Sequence, residues 1–104
     1  MVPASTARQV ALDLIGAVLG RERPLDEAID DNSEMAKLPL RDRAFARLLV
    51  ATVLRRLGQI DTLIAACLAN PLPPRAAQVH DVLRLGIAQL LFLHTPAHAP
   101  YPSE

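Results

Sequence analysis

Five arginines crowd the stretch from Leu38 to Gly58, at positions 41, 43, 47, 55 and 56, against one acid, Asp42, a local balance of +4. On a helix turning about 100° per residue, Arg43, Arg47 and Arg55 share one narrow sector with Ala44, Ala51 and Leu54. Guanidinium groups present forked donors that match phosphate oxygens, so a row of them is suited to a polyanionic backbone. Arg8, Arg41 and Arg56 extend the candidate set to six RNA-contacting arginines. From Glu22 to Glu34 the balance reverses, with six acids against Arg23, or −5. A chain of zero net charge therefore carries separate basic and acidic regions, and only the basic one suits nucleic acid. The plainer alternative is a solvated helix face, or arginines paired with the acidic stretch.

The other reactive side chains do not assemble into a catalytic set. Cys67 stands among Ile64, Ala65, Ala66 and Leu68, the setting of an inert core thiol. His94 and His98 are four apart, but Pro96 between them breaks the helical geometry a metal pair would need, and no third ligand is near. His80 reads as a surface residue. Glycines 16, 20, 58 and 86 are scattered singly, so no phosphate-cradling loop is present. Asp42, Asp61, Asp81 and Arg84 read as members of structural ion pairs, Arg84 lying one helical turn after Asp81. Phe45, Phe92 and Tyr101 are the only aromatics, too few for a base-stacking platform. Bound RNA would be held by backbone charge and shape.

These residues need elements to position them. Hydrophobic residues make up 51% of 104, enough to fill one core, and leucine and alanine dominate it, which favours helix over strand. A first helix is expected from Ser5 or Thr6 to Gly20, with Val10, Leu14, Ala17 and Val18 on one face. A short acidic helix follows, with Pro24 in its first turn, and residues 30–38 read as a loop. A third helix runs from just after Pro39 to Gly58, which takes the left-handed position beyond its end. Phe45, Leu48, Leu49, Val50, Val53 and Leu57 cover so much of its circumference that it should lie centrally. A fourth helix spans about 61–69, ended by Asn70-Pro-Leu-Pro-Pro. The fifth runs from Pro74 or Arg75 to Leu93. Val79, Val82, Leu83, Gly86, Ile87, Leu90 and Leu93 form its main apolar face, and Leu85, Leu91 and Phe92 widen it, so that end is expected to be buried. The expectation is an all-α bundle of about five helices over 1–95, followed by a proline-rich tail or linker over 96–104. No apolar run reaches the ~20 residues that span a bilayer. No signal peptide is visible, and one cysteine fits a reducing cytoplasm.

Five pieces in order carry a resemblance: Arg-Asp-Arg-Ala-Phe-Ala-Arg (41–47), Leu-Arg-Arg-Leu-Gly (54–58), Ile-Asp (60–61), Leu-Arg-Leu-Gly-Ile-Ala-Gln-Leu-Leu (83–91) and Pro-Ala-His-Ala (96–99). With them, residues 8–99 resemble the NusB-like domain at the N-terminus of bacterial ribosomal RNA 5-methylcytosine methyltransferases (the Sun/RsmB family). The transcription antitermination factor NusB shares the scaffold, and Arg8 matches its N-terminal RNA-binding arginine position.

The resemblance implies a non-catalytic domain that positions ribosomal RNA, with a catalytic methyltransferase domain in cis. It implies S-adenosylmethionine for that absent domain and no cofactor in this chain. Two departures stand out. In the relatives, Pro-Ala-His-Ala leads into a helix that closes the bundle, whereas Pro100 and Pro102 forbid one here. Apolar surface on the fifth helix is therefore expected to be uncovered, which favours a homodimer. The cysteine nucleophile and glycine-rich loop of the methyltransferase are also missing. The alternatives are a free-standing antitermination module, whose partners would be a ribosomal protein and RNA polymerase factors, or a helical dimerisation module without RNA.

Overall fold

The computed structural model describes residues 6–93, all of whose regular elements are helical. Helix α1 (Ala7–Ile15) opens on a reciprocal cap: the Thr6 hydroxyl accepts from Gln9 N at 3.1 Å, and Gln9 Oε1 accepts from Thr6 N at 3.0 Å. Its register then loosens over Gly16–Gly20 to i→i+5 bonding, with Arg21 N donating to Gly16 O at 3.2 Å. Arg23 N reaches back to Ala17 O at 3.0 Å, and Glu22 takes the left-handed conformation (φ 56°) that this ending requires.

Helix α2 (Leu25–Asp31) follows Pro24, which occupies the position just before the helix rather than its first turn. The expected loop over 30–38 is instead mostly helical. Asn32 Oδ1 accepts from Met35 N at 2.8 Å and starts α3 (Ser33–Lys37), while Met35 and Leu38 are buried. Two apolar anchors and an asparagine cap outweigh the polar composition that suggested a loop.

Helix α4 (Leu40–Arg55) is the central element, burying Phe45, Ala46, Leu49, Val50 and Val53, and α1 packs against it most extensively. Leu48, expected in the core, is 43% exposed. Helix α4 ends at Arg55, before the expected stop at Gly58. The chain bends at Arg56 (φ −105°, ψ 17°) and passes directly into α5 (Leu57–Cys67), several residues before the expected start at Asp61. The bonds Arg56 N to Thr52 O and Ile60 N to Arg56 O, both 2.9 Å, carry the helical pattern through the bend. No left-handed residue is then needed, and no described glycine has positive φ.

After the proline-rich turn, a tight turn over Pro74–Ala76 leads into α6 (Ala77–Ile87), which widens over Ala88–Phe92 with Leu93 N donating to Ala88 O at 3.0 Å. The orientation of α6 corrects the sequence reading. Its buried face is Asp81, Leu85, Ala88 and Gln89, whereas Val79, Val82, Leu83, Leu90 and Leu91 are exposed. Burial of two polar residues is tolerated because both are bonded, Asp81 to Arg84 and Gln89 to Arg8. His94, His98, Tyr101 and the expected tail over 96–104 lie outside the described residues.

Candidate nucleic-acid interface

The surface side of α4 carries Leu40, Ala44, Arg47, Leu48, Ala51 and Arg55 in sequence steps of three and four, so they form one strip along the helix. Within it Arg47 and Arg55 are exposed, and neither makes an ion pair or side-chain hydrogen bond among the described residues. Arg43 lies at the edge of the strip and is half-buried. Its Nε donates to Leu38 O at 3.1 Å, which ties the first turn of α4 to the end of α3. Arg41 is exposed on the first turn, and Arg56 is exposed at the bend. The acidic stretch keeps its own partners: Arg23 meets Asp31 at 2.6 Å and Glu27 at 3.7 Å, and Lys37 meets Glu34 at 3.2 Å.

Two of the six arginines also rest on aromatic rings. The Arg8 guanidinium carbon is 5.6 Å from the centroid of Phe45, and Arg8 Nε donates to Gln89 Oε1 at 2.6 Å, joining α1 to α6 across the core. Partial burial lowers the Arg8 pKa from its ordinary value, because desolvation disfavours the charged form. Arg56 lies 5.0 Å from the centroid of Phe92 and donates from Nη1 to Gln59 Oε1 at 3.2 Å. Neither ring contact nor the Gln89 partner was legible from local spacing, since all three join segments distant in the chain.

An ionic cluster holds α5 to α6. Arg84 donates to both oxygens of Asp61, Nε to Oδ1 at 2.8 Å and Nη2 to Oδ2 at 2.9 Å, and a third donor, Nη1, reaches Asp81 Oδ1 at 2.9 Å. The Arg84 and Asp81 side chains are only 14% and 10% exposed. Hydrogen bonding from Arg84 lowers the Asp61 pKa, against a smaller opposing effect of burial. The same bond raises the pKa of Arg84. His80, expected at the surface, is half-buried with Nε2 3.3 Å from Asp61 Oδ1. Asp42, expected in an ion pair, makes none among the described residues. It lies in the first turn of α4, where the helix dipole favours its charge. Cys67, expected in the core, is exposed at the C-terminal end of α5.

Among the described residues, no group of three His, Cys, Asp or Glu side chains is placed to hold a metal ion, and no helix is long and apolar enough to cross a membrane. The clefts are open. One, about 590 Å³, is lined by Gly16, Gly20, Ala77 and Asp81. The arrangement therefore offers an arginine-bearing strip, an apolar face on α6 and a salt-bridged support.

Comparison with known proteins gives these features a family. The chain is 35% identical, over 105 residues and 95% of its length, to the ribosomal RNA small subunit methyltransferase B of Xanthomonas campestris pv. campestris, covering 24% of that protein. It is 29% identical over 88% of its length to the protein of the same name from Klebsiella pneumoniae, covering 21% of it, and 33% identical over 73% of its length to that of Escherichia coli O1:K1, covering 16%. The chain thus spans about a quarter or less of the length of these relatives. No solved structure matches it. Residues 5–100, which include every described helix and the whole arginine strip, match the NusB family, and the chain belongs to that family.

Proposed function

We propose that this chain is the non-catalytic, RNA-positioning domain of a ribosomal RNA cytosine-5 methyltransferase, with the α4 strip as its phosphate-contacting surface. The observation that carries the reading is the pairing of relatives named as ribosomal RNA methyltransferases with exposed, unengaged Arg47 and Arg55 on the central helix. Arg41 and Arg56 flank that pair, and Arg43 and Arg8 are partly committed to the fold. Binding of this kind is electrostatic and independent of base sequence, and it supplies register rather than chemistry. Methyl transfer, with its S-adenosylmethionine, would belong to a catalytic domain in cis. The uncovered apolar face of α6, with Val79 at 53% and Leu90 at 55% exposed, is where such a domain would pack.

The test is a fluorescence-anisotropy titration of a small-subunit ribosomal RNA fragment at several salt concentrations, with Arg47→Ala/Arg55→Ala beside the parent chain. Affinity should fall with salt, and the slope of log K against log salt should shrink by about 0.7–0.9 per arginine lost. Equal and negligible binding by both proteins overturns the RNA role. The same α6 face favours a second reading, a NusB-type module acting through protein contacts or through its own dimer. Sedimentation equilibrium of the parent and Val82→Glu/Leu90→Glu chains tests it, since a dimer lost in the variant would assign the face to a second copy.

A further inference from the structure

Beyond the phosphate strip, the bend between α4 and α5 builds a second feature. Gly58, Gln59, Thr62 and Leu63 on α5 and Phe92 at the end of α6 line an open cleft of about 420 Å³. The Phe92 ring is half-buried and has the Arg56 guanidinium over it at 5.0 Å, so the cleft has an aromatic wall with a cation attached. Two polar groups border the ring with unused capacity. Gln59 spends its carbonyl oxygen on Arg56 and keeps its amide donors, while the Thr62 hydroxyl donates to Gly58 O at 2.8 Å and keeps its acceptor lone pairs. Arg55 and Arg56 are exposed and immediately precede this α5 segment in the chain.

We infer that this cleft takes one unpaired nucleobase of a bound RNA. The base would stack on Phe92, its edge would meet the Gln59 amide and the Thr62 hydroxyl, and its flanking phosphate would meet Arg55 or Arg56. Charge favours this occupant over an apolar protein side chain: exposed Arg55 and Arg56 stand beside the cleft and complement a phosphodiester. A single ring cannot form a platform for a running strand, but it suffices for one splayed base, the form in which RNA exposes its edges. The inference rests on the RNA-positioning reading above and adds to it a preference for RNA with an unpaired nucleotide.

Gly58 makes the test clean. A Cβ added there meets nothing within 4 Å, and the residue lies in a regular helix, so Gly58→Met places a side chain in the cleft without disturbing the core. Phe92→Leu removes the ring while keeping apolar volume. The probes are an RNA hairpin with 2-aminopurine at an unpaired loop position and a fully paired RNA duplex of equal length. The parent chain should bind the hairpin about tenfold more tightly than the duplex, in the range expected for one stacked base, and quench the 2-aminopurine. Gly58→Met and Phe92→Leu should lose both the preference and the quenching while keeping the affinity for duplex. A Gly58→Met chain that retains both overturns the site. A parent chain that binds hairpin and duplex equally also overturns it, and leaves the phosphate strip standing. Binding to neither RNA removes the RNA reading and this site together. A parent dimer that Gly58→Met abolishes would assign the cleft to a second copy instead.

Discussion

Arg84 on α6 and Asp61 on α5 face each other through two parallel hydrogen bonds of 2.8 and 2.9 Å, a bidentate fork closed across 23 residues of sequence. The third Arg84 donor is taken by Asp81, so one guanidinium satisfies two carboxylates, one of them almost wholly buried. Such a pair adds little over an apolar contact of the same shape, but breaking it leaves a buried charge without a partner. Arg84→Ala should therefore destabilise the fold by about 2–3 kcal/mol, the partial exposure of Asp61 tempering a loss that full burial would make larger. Arg84→Lys keeps the charge without the fork and should recover only part of this. Urea unfolding, with the midpoint moving at constant slope, is the measurement.

The same cluster sets an acid dependence. The Arg84 bond, aided by His80, holds the folded-state pKa of Asp61 below its ordinary value of 3.8. A depressed carboxylate contributes its full stabilisation above the unfolded pKa and loses it as pH falls through the folded one. Stability should thus be level in this respect above pH about 4 and decline below it. Asp61→Asn should start lower and show a shallower acid limb. An unchanged acid limb in thermal melts between pH 5 and 2 would refute the assignment.

Arg43 and Arg47 lie one turn apart on α4 but should respond differently to truncation. Arg43 donates to the Leu38 carbonyl at the α3–α4 junction, so Arg43→Ala should cost about 1–2 kcal/mol in stability. Arg47 is exposed and unengaged, so Arg47→Ala should stay within about 0.5 kcal/mol of the parent chain. Paired unfolding curves decide this, and they tell which arginine can be removed to probe RNA without weakening the fold.

Gly58→Ala should raise stability by about 0.5–1 kcal/mol. The residue is helical with open space at its Cβ, so alanine removes backbone entropy from the unfolded chain without a clash. Had Gly58 been a left-handed cap, the same change would destabilise. A rise or fall in melting temperature therefore distinguishes the continuous bend at Arg56 from a capped break.

Glu22 is the one described non-glycine residue with positive φ, at 56°. Its exposed side chain gains nothing visible from that conformation, which costs a residue with a Cβ about 1 kcal/mol. Glu22→Gly should be neutral to stabilising by up to about 1 kcal/mol, read from the urea midpoint.

The residues differ in how plainly they announced their places. Val10 and Leu14 on α1, and Phe45, Leu49, Val50 and Val53 on α4, are buried as their spacing predicted, because period 3.6 leaves one way to hide them. The apolar run of α6 misled. Val79, Val82 and Leu83 repeat as a core face would, yet Asp81 and Gln89 are turned inward, Asp81 held by Arg84 one turn on and Gln89 by Arg8 from the distant first helix. Asn32 could be read as a cap only once Met35 and Leu38 were known to reach the core. Of the candidate interface, the arginine strip was legible in positions 43, 47 and 55, whereas the commitment of Arg43 to Leu38 and the meeting of Arg56 with Phe92 were not.

The sequence by itself determined that the chain is all-helical, where most helices lie, that α4 is central, and that its outward side is basic. These follow from local periodicity, proline breaks and charge, which act over a few turns and need no knowledge of neighbours. The tertiary structure decided which face of α6 is buried, that Asp61 rather than Asp81 alone receives Arg84, and that Phe92 shares an open cleft with Gly58. Each depends on side chains brought together from elements far apart in the chain, and pairing free energies of that kind leave no periodic trace in the sequence.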